Sequence, residues 1–213
     1  MKTKMTKKEM VNTLEINANE KIANRLNELG FDIESFQGDM EQHKSGLSGN
    51  PSVYCGTYRK YNEGDLSGQW IDLSTFDNFD DFYNYCCAIH ADEEDPELMF
   101  QDYECFPEEY YNECLGRDDF DKIQKYIELC DSNKQEAVDA WLSITCGDDI
   151  DKFNEAYMGE WDSEEAFAES LADDCGYLSQ IPENLRDYFD FSAFARDLFA
   201  SDYDYEDGFV FQR

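Results

Sequence analysis

Carboxylates are the side chains of this sequence whose number and spacing could do chemistry. The chain has 213 residues, of which 50 are acidic and 17 are basic, so its formal net charge is −33. Glu165, Glu169 and Asp173 recur every four residues, a spacing that places them on one face of a helix, where each like-charged pair costs roughly 0.2–0.5 kcal/mol. Asp151 and Glu155 have the same spacing, and Glu183, Asp187 and Asp190 follow one another at four and three residues, which also places them on one helical face. Something other than folding should therefore keep these charges.

Solubility does not explain a charge of this size. Residues 51–213 hold 42 acidic and 10 basic side chains, whereas a small soluble domain needs a net charge of only about 2–8. The excess destabilises the compact state through self-repulsion. B-DNA carries one negative charge per ~1.7 Å of axis, or two per base pair. The net charge of −32 in residues 51–213 therefore equals that of the phosphates of roughly 16 base pairs. A protein with a basic DNA groove would bind such an array in place of DNA.

No catalytic or metal-binding motif accompanies the carboxylates in the sequence. Phosphate-binding glycine loops, nucleophile elbows and the zinc pattern H-E-x-x-H do not occur. The two histidines are His43 and His90, and we expect His90 to have a surface or capping role at a helix end. Residues 202–208 suggest a calcium loop, but Asp207 stands where glycine is needed and Arg213 where the bidentate glutamate is needed. The sequence predicts a protein that is not an enzyme and needs no cofactor or metal.

Composition excludes several other classes of protein. An isoelectric point near 4.1 excludes direct binding to nucleic acid phosphates and disfavours an anionic membrane. The sequence has no apolar window long enough to span a bilayer and no apolar signal segment, so we expect a cytoplasmic protein. The eight cysteines include no C-x-x-C pair and are expected to be reduced, with Cys86 and Cys130 packed as small hydrophobes. Aromatic residues make up 15% of the chain, which is enough core material for a fold.

The pattern of apolar residues predicts an α+β fold, elongated and built of three small domains. Residues 1–50 form a helical extension with a helix from Lys7 to Leu29 that ends at Gly30, followed by a Gly/Ser/Pro-rich linker. Residues 51–106 are an α+β domain, residues 107–156 a helical domain, and residues 157–213 a second α+β domain.

Individual elements follow from the same patterns. The first domain is predicted to hold strands Val53–Thr57, Gln69–Leu73 and Glu97–Tyr103 and a helix Asn78–His90 capped by Asp77. Helices of the middle domain are predicted to begin at Pro107, Asp118, Ser132 and Asp148. The last domain is predicted to hold strand Tyr157–Trp161, helices Ser163–Asp174 and Leu185–Phe199, a turn at Asp207 and Gly208, and strand Phe209–Gln212.

Several segments of the body resemble ArdA-type antirestriction proteins, which plasmids and conjugative transposons carry. The resemblance covers about residues 51–213 and leaves the first 50 residues without a counterpart. It rests on Tyr54-Cys-Gly-Thr-Tyr58, Tyr61-Asn-Glu-Gly64, Gly68-Gln-Trp-Ile-Asp72, Phe100-Gln-Asp-Tyr-Glu104, Gly159-Glu-Trp-Asp162, Ile181-Pro-Glu-Asn-Leu185 and Phe194-Ala-Arg-Asp-Leu198.

The resemblance implies a mimic of bent B-DNA. Such proteins occupy the DNA-binding groove of type I restriction–modification enzymes, bind the specificity and modification subunits, and are commonly dimeric. The carboxylates expected to form the mimic surface are Asp80, Asp81, Asp118, Asp119, Asp121, Asp148, Asp149, Asp151, Glu155, Glu164, Glu165, Glu169, Asp173, Asp174, Glu183, Asp187 and Asp190.

A homodimer of a polyanion needs a locally apolar patch. One segment carries six large apolar side chains within twelve residues, more than the single stripe that a helix needs for its own core. These candidates for the dimer interface are Tyr188, Phe189, Phe191, Phe194, Leu198 and Phe199.

Other functions remain open from the sequence. An acidic inhibitor of a different DNA-binding enzyme, such as a glycosylase or nuclease, would have the same composition. A halophilic protein would also carry an acidic solvation surface, and low-affinity calcium storage would require ordering by calcium.

Overall fold

The computed structural model describes residues 20–33, 36–44, 49–147 and 149–213. The fold is α+β, as predicted, and the chain divides into two compact units, Met1–Ile127 and Glu128–Arg213. Each unit holds one three-stranded antiparallel sheet. The division into three domains and the elongated shape stay predictions.

The N-terminal segment is helical where the structure describes it. Helix α1 covers residues 20–28, and helix α2 is Phe36–His43. The backbone N–H of Phe31 donates to Leu26 O at 2.9 Å, and that of Gly30 donates to Asn27 O at 3.1 Å. Gly30 has a φ of +88°, so it ends α1 in the left-handed conformation that this pair of hydrogen bonds requires. The predicted C-cap is confirmed, and the predicted start at Lys7 lies outside the described residues.

The first sheet consists of β1 (Ser52–Thr57), β2 (Gln69–Asp72) and β3 (Leu98–Glu104), in the order β2-β1-β3. The three strands are the predicted ones, within a residue or so at each end. The connection from β1 to β2 contains a short helix, α3 (Tyr58–Asn62), which the sequence analysis did not predict.

Helix α4 (Phe79–Ile89) packs against this sheet. Its Phe82 ring is fully buried and stacks on Phe100 and Phe120 at centroid distances of 5.6 and 5.3 Å. The predicted cap Asp77 is wrong, because the side chain of Asn78 accepts the N–H of Asp81 at 3.0 Å and caps the helix instead.

The prediction of a helix beginning at Pro107 is also wrong. Only Glu108–Tyr110 forms a single 3₁₀ turn. The segment instead bonds to β3, since Phe100 N–H donates to Glu113 O at 2.9 Å and the Tyr111 hydroxyl donates to Phe100 O at 2.6 Å. Backbone groups satisfied by a strand are not available for a helix.

Two longer helices follow, α5 (Arg117–Ser132) and α6 (Gln135–Thr145). The start predicted at Asp118 is close, but Asp118 lies inside the first turn of α5. Ser132 is the last residue of α5 and caps nothing downstream, since α6 begins after Lys134. The inward face of α6 is as predicted, and its buried residues include Ala137, Val138, Trp141 and Leu142. The predicted start at Asp148 lies outside the described residues.

The second sheet has the order β4-β6-β5. The elements of this unit after α6 are α7 (Phe153–Ala156), β4 (Tyr157–Glu160), α8 (Glu164–Asp174), α9 (Glu183–Arg186), α10 (Phe191–Ser201), β5 (Tyr203–Glu206) and β6 (Phe209–Gln212). The turn between β5 and β6 is the predicted Asp207 and Gly208, with φ of 49° and 91°. Two positive φ values suit a tight hairpin, and this hairpin creates β5, which was not predicted.

The predicted helix Leu185–Phe199 is two helices. Asp190 interrupts it, because its carboxylate accepts the N–H of Ala193 at 2.9 Å and caps α10. A short polar side chain that bonds to the backbone three residues ahead starts a new helix.

An acidic surface as the candidate partner-binding site

A membrane or metal site is not indicated by the described residues. Among them, none of the helices is both long and apolar enough to cross a bilayer. Over the same ranges, no group of three or more His, Cys, Asp or Glu side chains is placed to hold a metal ion. The candidate site is therefore sought among the surface carboxylates.

The predicted carboxylates of the first unit lie at two helix N-termini. Asp80 and Asp81 are exposed in the first turn of α4, and Asp118 and the half-buried Asp119 lie in the first turn of α5. Asp121 is exposed one turn further along α5. Negative charge at a helix N-terminus stabilises the helix by typically 0.3–1 kcal/mol. Folding alone gives a reason for acidic residues at these positions.

The structure brings these two helix ends together. The guanidinium of Arg117 lies 2.5 Å from Asp80 Oδ1, and the Phe79 and Phe120 rings lie 5.9 Å apart. Asp119 Oδ2 accepts the backbone N–H of Gly116 at 3.0 Å. The charge of Asp80 is thus partly compensated, which the spacing of carboxylates along the sequence could not reveal.

The predicted carboxylates between α6 and β4 are also exposed. Asp149 has a φ of 60° and pairs with Lys152 at 2.9 Å, while Asp151 and Glu155 follow on the next turns. Asp148 lies outside the described residues. This short group presents acid to solvent, with Lys152 paired to Asp149.

Helix α8 presents the predicted stripe of acid. Ser163 caps the helix by accepting the N–H of Ala166 at 3.1 Å. Phe167, Ala168 and Ala172 are buried and fix which face points inward. Five exposed carboxylates cover the remaining surface of this helix: Glu164, Glu165, Glu169, Asp173 and Asp174.

The charge on α8 is left uncompensated by bases. Within the described residues, none of its five carboxylates forms an ion pair, and its last turn has no basic side chain. Glu164 and Glu165 lie in the first turn, where the helix dipole favours them. Asp173 and Asp174 lie at the opposite end, where the dipole disfavours negative charge by about 0.3–1 kcal/mol each.

The few bases of the second unit lie beside other acids. Residues 128–213 hold 23 acidic and 5 basic side chains. Lys134 pairs with Glu160, and Arg213 donates two hydrogen bonds to Asp204. On α8 the only described side-chain bond to a carboxylate is neutral, from the Ser192 hydroxyl to Glu165 at 2.7 Å. The acidic face of α8 therefore stays open to a basic partner.

The last predicted carboxylates surround the break before α10. Glu183 and Asp187 are exposed on and just after α9. Asp190 is exposed too, but its carboxylate is engaged in capping α10. Asp190 thus has a structural role besides any role in binding.

One exposed acidic segment, the loop between α4 and β3, was not predicted from the sequence. It carries five carboxylates within residues 92–97, a density that could have signalled it. Asp92, Glu94, Asp95 and Glu97 are exposed, whereas Glu93 is 5% exposed and accepts the Thr57 hydroxyl at 2.7 Å. Four of these five belong with the acidic surface, and Glu93 belongs to the core.

His90 is the C-cap residue of α4, as expected, and its backbone N–H donates to Cys87 O at 3.2 Å, but the expected surface position is wrong. Its ring is 2% exposed, with Nε2 at 3.3 Å from Cys55 O and Nδ1 at 3.0 Å from Lys60 Nζ. The ring turns inward because α3 and β1 supply partners for both of its nitrogen atoms, 30 and 35 residues away in sequence.

A family model described as "Antirestriction protein (ArdA)" matches residues 53–211. The chain belongs to the ArdA family. This confirms the resemblance found in the sequence and implies an antirestriction function, exerted by an inhibitor rather than an enzyme. The match spans every predicted carboxylate and leaves out the N-terminal helices α1 and α2. A search of curated proteins found no match to the chain.

The apolar candidates for a dimer interface differ widely in exposure. Tyr188 is 83% exposed. Leu185 and Tyr177, which were not among the candidates, are about half exposed. The Phe199 ring instead contacts Phe167 at 5.8 Å within its own unit. The remaining candidates, Phe189, Phe191, Phe194 and Leu198, are half-buried.

Proposed function

We propose that this ArdA protein mimics B-DNA with its surface carboxylates and occupies the DNA-binding groove of type I restriction–modification enzymes. The partner is the complex of specificity and modification subunits, in the cytoplasm. Binding there excludes DNA and so blocks restriction, and modification as well, of incoming DNA.

One observation carries this proposal, the position of Asp173 and Asp174. Both are exposed at the C-terminal end of α8, without a base in that turn. Folding opposes negative charge there, and solubility is satisfied by far less charge than the chain has. A partner whose site is lined by Lys and Arg gives a reason for the charge.

The physical basis of recognition is the same as for DNA. The groove of a DNA-binding enzyme is lined by Lys and Arg side chains, whose spacing matches that of the DNA phosphates. Binding a polyanion in this groove releases counterions. Carboxylates held on helices such as α8 need not be ordered on binding, which lowers the entropic cost of association. Affinity should fall steeply as salt rises.

A competition experiment tests the proposal. The protein displaces fluorescent DNA from a purified type I methyltransferase over a series of salt concentrations. We expect weaker displacement with rising salt, and unchanged displacement in about 1 M salt, where the Debye length is ~3 Å, would overturn the mimic. A folded protein that fails to displace DNA from any type I enzyme but inhibits a glycosylase or nuclease would redirect the proposal to another DNA-binding enzyme.

Matched variants locate the surface. Neutralising Glu165, Glu169 and Asp173 together should weaken displacement, whereas any one of them alone should have little effect, because the charge is shared among many groups. The control neutralises three exposed acids of the first unit, Glu108, Glu109 and Glu113. An equal loss in both triple variants would assign recognition to total charge rather than to α8.

Folding measurements separate the remaining alternatives. A halophilic protein would fold only at molar salt, and a calcium store would gain order in millimolar calcium. Circular dichroism in dilute buffer with a chelator decides both, and a folded, inhibitory protein there would exclude them.

We also propose that the protein is a homodimer through the segment that contains Tyr188 and Phe199. The exposed ring of Tyr188 and the neighbouring Leu185 give an apolar patch in an otherwise acidic unit. Analytical ultracentrifugation at moderate salt should show a dimer that Tyr188→Ser weakens. Tyr61→Ser, in a tyrosine that is half exposed in the first unit, is the control. A monomer at tens of micromolar would overturn the dimer, and a dimer unaffected by Tyr188→Ser or Phe199→Asp would place the interface elsewhere.

A further inference from the structure

Residues 20–33 and 36–44 lie outside the family match, yet they are packed into the first unit. Leu26 and Phe36 are 3% and 8% exposed. The Phe36 ring contacts Phe31 at 5.3 Å and Tyr85 of α4 at 6.2 Å. Helices α1 and α2 thus share a core with α4.

The end of α2 is fixed by a histidine. The His43 ring stacks on Phe76 with centroids 4.2 Å apart, and its Nδ1 lies 2.7 Å from Thr75 Oγ1. Since the Thr75 hydroxyl already donates to Asp72 O at 2.7 Å, His43 Nδ1–H donates to Thr75. The end of α2 is therefore held both by an apolar ring contact with Phe76 and by a directional hydrogen bond to Thr75.

The same segment lies along the free side of strand β2. Lys44 forms an antiparallel bridge with Ile71, whose other neighbour is Val53 of β1. The Gln69 amide donates to Met40 O at 3.3 Å and to the Tyr85 hydroxyl at 2.6 Å. Without residues 36–44, β2 would be an uncovered edge strand of the sheet.

The chain exposes little charge at this edge. Residues 66–71, Leu-Ser-Gly-Gln-Trp-Ile, contain no ionisable side chain, and Asp72, the last residue of β2, is 7% exposed and accepts the N–H of Ser74 at 3.0 Å. Leu66 is 61% exposed. An uncharged edge with apolar side chains is where two copies of a polyanion repel each other least, and open edges invite pairing with a second chain.

We propose that residues 20–44 guard the β2 edge and prevent copies of this chain from pairing through it. This segment, which we call the guard, covers the edge within its own chain. Lys44 lies beside Ile71, and α2 packs against Phe76 and Tyr85. When the guard is displaced, the partner that the edge accepts is a second copy of the chain. This inference does not depend on which enzyme the protein inhibits.

Variants of the full chain test the guard. Leu26→Asp and Phe36→Asp place a charge where the segment is buried, whereas Ile33→Asp, at a side chain that is 46% exposed, is the control. Hydrogen exchange should become about tenfold faster or more in α2 and β2 in the first two variants and stay unchanged in the control. Light scattering should then show species larger than the wild type, increasing with protein concentration.

A second-site change identifies the surface. Leu66→Glu adds charge to the exposed connection three residues before β2 and should return the displaced variants to the wild-type size. If displaced variants keep the wild-type size, or if Leu66→Glu does not reverse the association, the guard proposal is wrong.

Fast hydrogen exchange in β1 as well would mean that the whole unit has unfolded. Phe36→Ala then replaces Phe36→Asp in the same assay. If β2 exchange stays slow while α2 exchanges fast, the segment does not protect the edge.

Discussion

The ammonium group of Lys60 lies 3.0 Å from Nδ1 of the buried ring of His90. Because an ammonium only donates, Nδ1 is the acceptor, and Nε2 carries the proton that is donated to Cys55 O. Lys60 also lies 3.0 Å from Asp92 and 4.0 Å from the buried Glu93. One lysine therefore connects α3 to β1 and to the acidic loop after α4.

Replacing Lys60 should destabilise the first unit. Lys60→Met leaves Nδ1 of His90 without its donor and Glu93 without its nearest cation, which should lower the free energy of unfolding by about 1–3 kcal/mol. Urea unfolding followed by circular dichroism measures this. Lys122→Met, at an exposed position on α5, should change it by less than about 0.5 kcal/mol. A Lys60→Met protein as stable as the wild type would contradict this account of the network.

Neutralising the end of α8 should stabilise the fold while weakening inhibition. Asp173→Asn and Asp174→Asn each remove charge that opposes the helix dipole, so each should raise the free energy of unfolding by about 0.3–1 kcal/mol. The double variant should also displace DNA from the methyltransferase less well than the wild type. Glu164→Gln, in the first turn of the same helix, should instead destabilise slightly. Loss of stability in the double variant would remove the main support for the proposed function.

The cysteines should divide by reactivity. All eight are free, and Cys105, Cys114, Cys146 and Cys175 are exposed. Burial raises the pKa of Cys86 and of Cys87, so both stay as unreactive thiols at neutral pH. Alkylation of the native protein, read by peptide mass spectrometry, should modify the four exposed residues and leave Cys86 and Cys87 for the unfolded protein. Rapid native labelling of Cys86 would show that the first core opens readily.

The docking of α2 should weaken at acid pH. Burial of the His43 ring lowers its pKa, and the opposing charges of Asp39 and Asp72 do not cancel this effect. The neutral ring is thus the docked form, and its contribution to stability is complete above the ordinary pKa of about 6.5 and is lost as the pH falls through the lowered value. Hydrogen exchange of α2, compared between wild type and His43→Gln at each pH, should diverge below about pH 6.5. Parallel profiles would assign the acid sensitivity to carboxylates.

Elements with local signals could be predicted from the sequence. The cap of α8 at Ser163, the glycine that ends α1 and the Asp207 and Gly208 turn each depend on residues within a few positions of one another. The acidic stripe of α8 was predictable for the same reason, since helical spacing decides which side chains share a face.

Features that depend on distant partners could not be predicted. The segment after Pro107 avoids a helix because its backbone bonds to Phe100 on β3. His90 is buried because Lys60 and Cys55 reach both of its nitrogen atoms. Likewise, Glu93 is buried because Thr57 and Lys60 lie beside its carboxylate, whereas the adjacent Glu94 is exposed. Composition does not distinguish a buried residue from an exposed one of the same type, because burial is decided by tertiary contacts.

The middle strand of the second sheet, β6, comes last of its three strands along the chain. On the ribosome, β4 therefore emerges roughly fifty residues before the strand it pairs with, a wait of several seconds at typical rates of synthesis. During that interval its edge has no partner in its own sheet, and the charges of Glu160 and Asp162 at its end are of the kind that disfavours association of exposed strands. The acidity that we propose to fit a basic groove therefore also disfavours association of the polypeptide while it is being made.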